Sequence, residues 1–471
     1  MGRLRRLAEA TPASRNRYLD MLRALAIILV VIGHWSVVDI GHDANGQPTA
    51  RSALPDLPWA YPVTWAVQVM PIFFLVGGYA NAASLTSHLR RGGDATGWLL
   101  GRSARLLRPT SVLILVLAAV ALAARLGGAD PSLIRTVVYF ATIPLWFLAA
   151  YLLVVPLTPL MYALHRRYGL LVPVALAALV AVGDLTREIH LTDAALPNYL
   201  FGWLAIHQVG FAWYDASRKD ATDLASRGRW AGLRTRRLPL SRRAGWTALL
   251  GGLAVAVLLT GPGPYPVSMI NIPGERLNNA APPSLALLAV STAQLGVLLL
   301  LRQPAQRWLR RPRPWMAVIA VNSVVLTVFL WHLSAAILAI GALDAVGLLP
   351  TPAVGSAAWL AWRIPWLLML GVVLAVLVAI LGPVEARTGR PPAARQPPPP
   401  SDGRASQRWW AVGRRVLTVA AFVAVVFALV INATAPRAAP LLIGLPVATL
   451  VAYLAGAGTL RLLRSGWGNR G

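Results

Sequence analysis

Two ionisable residues, Arg23 and His34, interrupt the apolar stretch YLDMLRALAIILVVIGHW at residues 18–35. On a helix their spacing of eleven residues puts them within about 20° of one another, with a rise of about 16 Å. Asp20, three residues before Arg23, can reach it on the same side. An ionisable side chain inside a membrane is costly, so the three predict a functional face. The alternative is that Arg23 extends to the interface while His34 bonds a neighbouring helix.

Further polar residues are scattered through later apolar segments and one loop. Each is a candidate substrate contact. For the residues in apolar segments, the alternatives are helix packing, an interfacial position or a structural hydrogen bond. We predict the following as substrate-binding candidates: Tyr79, Asn81, Trp146, Glu275, Asn278 and His332.

Three arginines, Arg102, Arg105 and Arg108, follow one another at intervals of three residues in GRSARLLRP. Guanidinium groups in such a stripe suit phosphate groups through charge-assisted hydrogen bonds. The alternative is an ordinary basic flank of a membrane span. Cysteine is absent, and no glycine-rich phosphate loop, HExxH or GxSxG motif occurs. The sequence therefore predicts no metal site and no thiol chemistry.

The composition predicts an all-α polytopic membrane protein. Of 471 residues 57% are hydrophobic and only 13% are charged, too few to cover the surface of a soluble protein of this length. The net charge of +27 comes mostly from arginines between apolar runs, which indicates topology rather than nucleic-acid binding. The basic N-terminus continues into the first span without a small-residue cleavage site, so we expect a retained signal-anchor.

Twelve apolar segments are long enough to be spans. Arginines concentrate on one side of every predicted crossing, and the positive-inside rule then puts both termini in the cytoplasm. The predicted spans are 20–38, 62–83, 106–125, 143–164, 168–184, 197–214, 244–261, 284–301, 315–341, 358–382, 414–432 and 439–460.

Loop composition divides the chain into four parts. Residues 1–19 form a basic cytoplasmic N-terminus, and residues 20–383 form a core of ten spans. Residues 384–413 are a linker rich in Pro and Arg, typical of an extended cytoplasmic segment. Residues 414–471 add two further C-terminal helices with few polar residues, which we interpret as a structural or lipid-facing appendage.

The motifs together resemble the acyltransferase-3 family of integral membrane acyltransferases over about residues 15–385. The family's Arg-x10-His pattern is matched by Arg23 and His34 in LDMLRALAIILVVIGHW. In MPIFFLVGGYANA the chain has Gly77 where the family usually has a serine. The family's Arg-x-x-Arg is matched by Arg102–Arg105 and again by Arg105–Arg108.

The resemblance implies an enzyme of the plasma membrane that moves an acyl group, an acetyl group in the first instance, from cytoplasmic acyl-CoA to a hydroxyl. The acceptor would be a carbohydrate, a lipid-linked compound or another small molecule. A histidine near neutral pKa suits the required base, so His34 is the expected general base, with Arg23 and Asp20 beside it. Arg102, Arg105 and Arg108 would hold the donor phosphates. Whether His34 acts as a base or is itself acylated stays open, and the alternative function is a transporter or flippase using Arg23 and His34.

Overall fold

The computed structural model describes residues 9, 11, 15–42, 46, 48–189, 191–218, 236–273, 275, 277–386, 404–435 and 441–465. The first basic residues, the centre of the arginine-rich loop at 219–235 and most of the predicted linker, 387–403, lie outside the described residues.

Helices make up most of the described structure. The helices are α1 (Arg17–Ser36), α2 (Thr64–Val67), α3 (Met70–Arg90), α4 (Ala95–Leu126), α5 (Pro131–Thr142), α6 (Leu145–Val154), α7 (Thr158–Tyr168), α8 (Leu171–Glu188), α9 (Asn198–Ala216), α10 (Arg242–Thr260), α11 (Leu285–Trp308), α12 (Pro312–Ser323), α13 (Val325–Ala345), α14 (Ala357–Ala386), α15 (Arg404–Thr434) and α16 (Val447–Arg464). Two strands, β1 (Val38–His42) and β2 (Pro48–Ser52), form an antiparallel hairpin after α1.

Ten helical segments in the described part of the chain are long and apolar enough to cross a membrane, which confirms an all-α polytopic membrane protein. The other two predicted spans, 168–184 and 197–214, are helical as α8 and α9 but are not among these ten. Asp184 near the end of α8 accepts hydrogen bonds from Asn198 of α9, the Tyr265 hydroxyl and the Leu285 backbone N–H. These bonds satisfy a carboxylate that would otherwise be costly to bury.

Three local features differ from the predicted pattern. The loop after the first span contains the β hairpin. Residues 131–142, predicted as loop, form the short helix α5. The predicted span 315–341 is broken at Val324 into α12 and α13. The Glu385 carboxylate accepts hydrogen bonds from the backbone N–H groups of Leu326 and Thr327, which caps the new helix start.

The chain forms two compact units. Unit one comprises residues 1–86, 157–322 and 346–367. In it, α3 and α9 pack with their backbones almost in contact. A Cβ added at Gly78 would lie 2.0 Å from the His207 carbonyl oxygen, and one added at Gly210 would lie 2.2 Å from the Leu75 carbonyl oxygen. Glycine therefore permits this packing, the usual role of small residues in membrane helices.

Unit two comprises residues 87–156, 323–345 and 368–471. It contains α15 and α16 together with α4, α5 and α6, and the last two helices pack directly on these three. Of the predicted linker 384–413, residues 384–386 belong to the end of α14 and residues 404–413 to the start of α15. The two C-terminal helices have extensive protein contacts.

Candidate active site

Arg23 of α1 is held on two sides in unit one. Its Nη2 donates to Asp20 Oδ1 at 3.1 Å and its Nε donates to Asn322 Oδ1 at 2.6 Å. Asn322, near the end of α12, donates in turn to the backbone carbonyls of Asp20 and Val318. The Arg23 side chain is 36% exposed, so a fixed guanidinium keeps an accessible edge for a ligand.

Asp20 accepts hydrogen bonds from two guanidinium groups. Besides Arg23, the Nε of Arg15 donates to Asp20 Oδ2 at 2.6 Å, and this bond raises the pKa of Arg15. The Asp20 side chain is only 13% exposed. A carboxylate engaged in this way orients its partners, so the geometry favours a positioning role for Asp20 over proton transfer.

His34 lies half-buried in the last turn of α1, which ends at Ser36. Helix α14 holds the backbone on the C-terminal side of His34. Trp366 Nε1 donates to the Trp35 carbonyl at 3.0 Å, and Arg363 Nη1 donates to the Val38 carbonyl at 2.8 Å. The backbone that carries the imidazole is therefore fixed.

The separation of Arg23 and His34 follows from their spacing. Eleven residues of helix put about 16 Å between the two along the axis, on one face. They cannot contact the same atom of a substrate. His34 lies at the hairpin end of α1, and Arg23 lies about two turns from the helix start, so an extended ligand would be needed to reach both.

The α3 candidates make contacts within the helix bundle of unit one. Asn81 is fully buried, and its Nδ2 lies 3.1 Å from His207 Nε2. The Tyr79 ring meets the Tyr214 ring edge-on, with centroids 5.4 Å apart. Both arrangements favour a role in helix packing.

Side chains of the loop before α11 form hydrogen bonds with backbone groups of the same loop. Asn278 Nδ2 donates to the Glu275 carbonyl at 3.4 Å, and the Asn278 carbonyl accepts from Arg187 Nη1 at 3.1 Å. The neighbouring Asn279, which is fully buried, donates to two further loop carbonyls. Glu275 is exposed and is the freest of the loop candidates to meet a polar substrate.

The arginine stripe lies near the start of α4 in unit two. Arg102 Nη2 donates to the Tyr151 hydroxyl at 3.0 Å, while its Nε is buried without a hydrogen bond. Arg105 and Arg108 are exposed. The charge of Arg102 acts on Arg105 as a repulsion. Two positive charges held close together favour the binding of an anion between them.

The remaining two candidates also belong to unit two. His332 of α13 is fully buried, with its Nδ1 2.6 Å from the Phe329 carbonyl oxygen of its own helix. Trp146 is half-buried on α6. The bond within the helix favours a structural role for His332.

The candidates thus fall into two sets. Unit one contains Asp20, Arg23, His34, Tyr79, Asn81, Glu275 and Asn278, and unit two contains Arg102, Arg105, Arg108, Trp146 and His332. Within the described residues no group of three or more His, Asp or Glu side chains is arranged to hold a metal.

Sequence reasoning did not identify Arg363 and Trp366 as supports of the His34 turn. The available signal was Arg363, four residues after Trp359 in the first turns of a largely apolar helix. Its guanidinium carbon lies 4.2 Å from the centroid of the Trp359 ring. A cation–π pair of this kind helps to hold the guanidinium in place.

Comparison with known proteins identifies the family. No curated protein and no solved structure matches the chain. A family model described as an acyltransferase domain matches residues 16–382, which include Arg23, His34 and the arginine stripe but end before α15 and α16. The chain is therefore a multi-pass integral membrane protein that belongs to the acyltransferase-3 family.

Proposed function

We propose that the protein is an O-acyltransferase of the plasma membrane that moves an acyl group, an acetyl group in the first instance, from acyl-CoA to a hydroxyl. The acceptor is a carbohydrate, a lipid-linked compound or another small molecule. The observation that carries this proposal is the face of α1 shared by Arg23 and His34 in a chain of the acyltransferase-3 family. Arg23 bonds Asn322 of α12, and the backbone next to His34 accepts a hydrogen bond from Trp366 of α14.

In the proposed reaction His34 moves the proton. An imidazole nitrogen takes the proton of the acceptor hydroxyl while the hydroxyl oxygen bonds to the thioester carbonyl carbon. The carbon–sulfur bond then breaks, and the coenzyme A thiolate receives the proton from the imidazolium. A second route acylates His34 first and then transfers the group to the hydroxyl; radiolabel retained on the protein without acceptor distinguishes that route.

The arginines have binding roles in this proposal. Arg102, Arg105 and Arg108 are assigned to the donor phosphates because guanidinium groups bind phosphate by two directed bonds. Arg23, held by Asp20 and Asn322, is assigned to a carbonyl or phosphate of the donor. Asp20 positions Arg23.

Thioester consumption by the purified full chain tests this function. With radiolabelled acetyl-CoA and a panel of sugar, glycolipid and alcohol acceptors, we expect release of free coenzyme A that depends on His34. Protein that is folded by its melting transition but cleaves no thioester, even to water, would contradict the proposal. Coupled movement of a solute in the same vesicles would then favour a transporter.

The orientation is a separate prediction. We propose that both termini are cytoplasmic, because arginines alternate between the two ends of successive spans. Reporters fused after Gly471 and inserted between β1 and β2 should report opposite sides of the membrane. Equal labelling at both positions by an impermeant reagent would exclude this topology.

A further inference from the structure

The two helices that follow the family-matched region are anchored in unit two by a buried arginine. Arg135 of α5 is fully buried; its Nη1 donates to the Gly444 carbonyl at 3.0 Å and its Nη2 to the Ala435 carbonyl at 2.9 Å. Asn432 Nδ2 also donates to Thr142 Oγ1 at 3.1 Å. A buried guanidinium is tolerated only with such partners, so α15 and α16 occupy a defined position.

A second contact sets the register of α16 against α4. The Tyr453 side chain is buried, and its hydroxyl lies 3.1 Å from Ser111 Oγ and 3.4 Å from the Leu107 carbonyl. Leu460 and Arg464, seven and eleven residues later, lie within about 20° of Tyr453 around the helix. Leu460 is buried as well, so Arg464 continues the face of α16 that packs on α4.

This register brings Arg464 to the arginine stripe. Helices α4 and α16 run antiparallel, so eleven residues beyond Tyr453 put Arg464 within about a turn of the level of Arg102. The charge of Arg464 acts on Arg105 as a repulsion, in addition to that of Arg102. In the described part of the chain Arg102, Arg105 and Arg464 form no ion pair with a carboxylate.

Helix α15 adds another cation at the same end of α4. Arg414 Nη2 lies 3.7 Å from Oδ1 of Asp94, the residue that caps the start of α4. The Nε atoms of both Arg414 and Arg102 are buried without a hydrogen bond. Four guanidinium groups and one carboxylate leave an excess of positive charge and unused donors, the arrangement expected for binding a multiply charged anion.

We propose that Arg464 and Arg414, from the two C-terminal helices, complete with Arg102 and Arg105 a phosphate-binding site for the acyl donor. The inference rests on the proposed function, because the anion it assigns is the phosphate part of acyl-CoA. It gives α15 and α16 a binding role beyond the family-matched region. A lipid headgroup carries the same phosphate chemistry, and the test separates the two sources.

Coenzyme A binding by the full chain tests the proposal. The protein is reconstituted in nanodiscs of phosphatidylcholine, and the affinity for free coenzyme A is measured by calorimetry. Arg464→Ala should weaken binding about 10-fold or more, the effect of losing a charge-assisted bond, and Arg464→Lys should recover part of it. The matched control is Arg461→Ala, an exposed arginine about 80° away from Tyr453 on the same helix; it should change the affinity less than twofold.

Three results would overturn the inference. If Arg464→Ala binds coenzyme A normally while Arg102→Ala and Arg105→Ala bind weakly, the C-terminal helices are outside the site and the proposed function stands. If none of the three variants loses affinity, the donor site of the proposed function fails too. If Arg464→Ala alters only retention of anionic lipid in nanodiscs containing phosphatidylglycerol, the cluster is a headgroup site. Melting curves that match the wild type ensure that each variant is folded.

Discussion

Replacing His34 with alanine is expected to reduce acyl transfer by about 10²- to 10⁴-fold, the contribution of a positioned general base. The acceptor hydroxyl has no other assigned proton acceptor in the proposed reaction, while the thioester is already activated. The substitution should leave membrane insertion intact, since alanine is accepted in a spanning helix. The measurement is the initial rate with labelled acetyl-CoA in membranes with matched expression.

A second histidine provides the control for this substitution. His42 at the end of β1 is exposed and has no role in the proposed reaction, so His42→Ala should retain a rate close to that of the wild type. If His34→Ala turns over as fast as His42→Ala, the mechanism is wrong. His332 would then be the next candidate base, although its burial and its contact with the Phe329 carbonyl require a rearrangement before it can reach a substrate.

The sequence predicted the membrane helices well because apolar length is a local property. The limits of α1 differ from those predicted by a few residues. That difference matters for the site, because the helix ends at Ser36 and His34 therefore lies in its last turn. Helix ends depend on capping and on the hairpin that follows, which hydropathy does not report.

Features that depend on distant residues were harder to predict. Arg135 lies in a segment predicted as loop, yet it is fully buried and donates hydrogen bonds to residues 300 and 309 positions away. The final pair of helices looked like an appendage because it contains few polar residues, but the polar partner is on α5. A pattern within one segment cannot reveal a guanidinium supplied by another.

The same limit applies to the support of Arg23. The sequence paired it with Asp20 by helical spacing, and the structure confirms this hydrogen bond. Asn322 lies within the predicted span 315–341, and no spacing in the sequence pairs it with Arg23. Its shorter bond to Arg23 joins α12 to α1 two residues before the break at Val324, and a bond between segments so far apart in the chain leaves no pattern within the span 315–341.

The triple substitution Arg102→Ala, Arg105→Ala and Arg108→Ala is expected to raise the KM for acyl-CoA by about 10²-fold or more while changing kcat much less. Each charge-assisted bond to phosphate contributes about 1.5–3 kcal/mol, equivalent to about 10- to 150-fold in affinity. Because one phosphate can be shared by neighbouring arginines, the three effects should add incompletely. The donor phosphates are remote from the reacting carbonyl. Loss of the arginine contacts to them should therefore weaken binding of the ground state and of the transition state alike.

The matched control for this prediction is Arg307→Ala, Arg310→Ala and Arg311→Ala. These arginines are also exposed and are predicted to lie on the same, arginine-rich side of the membrane, so removing them changes the net charge equally without touching the proposed site. A KM increase in both triple variants would indicate general attraction of the anionic donor, which rising salt should abolish. A KM increase confined to the α4 triple, and still present at high salt, would indicate direct phosphate contacts. If the triple substitution of Arg102, Arg105 and Arg108 leaves the KM unchanged, these arginines have only the topological role that positive flanks of membrane spans usually have.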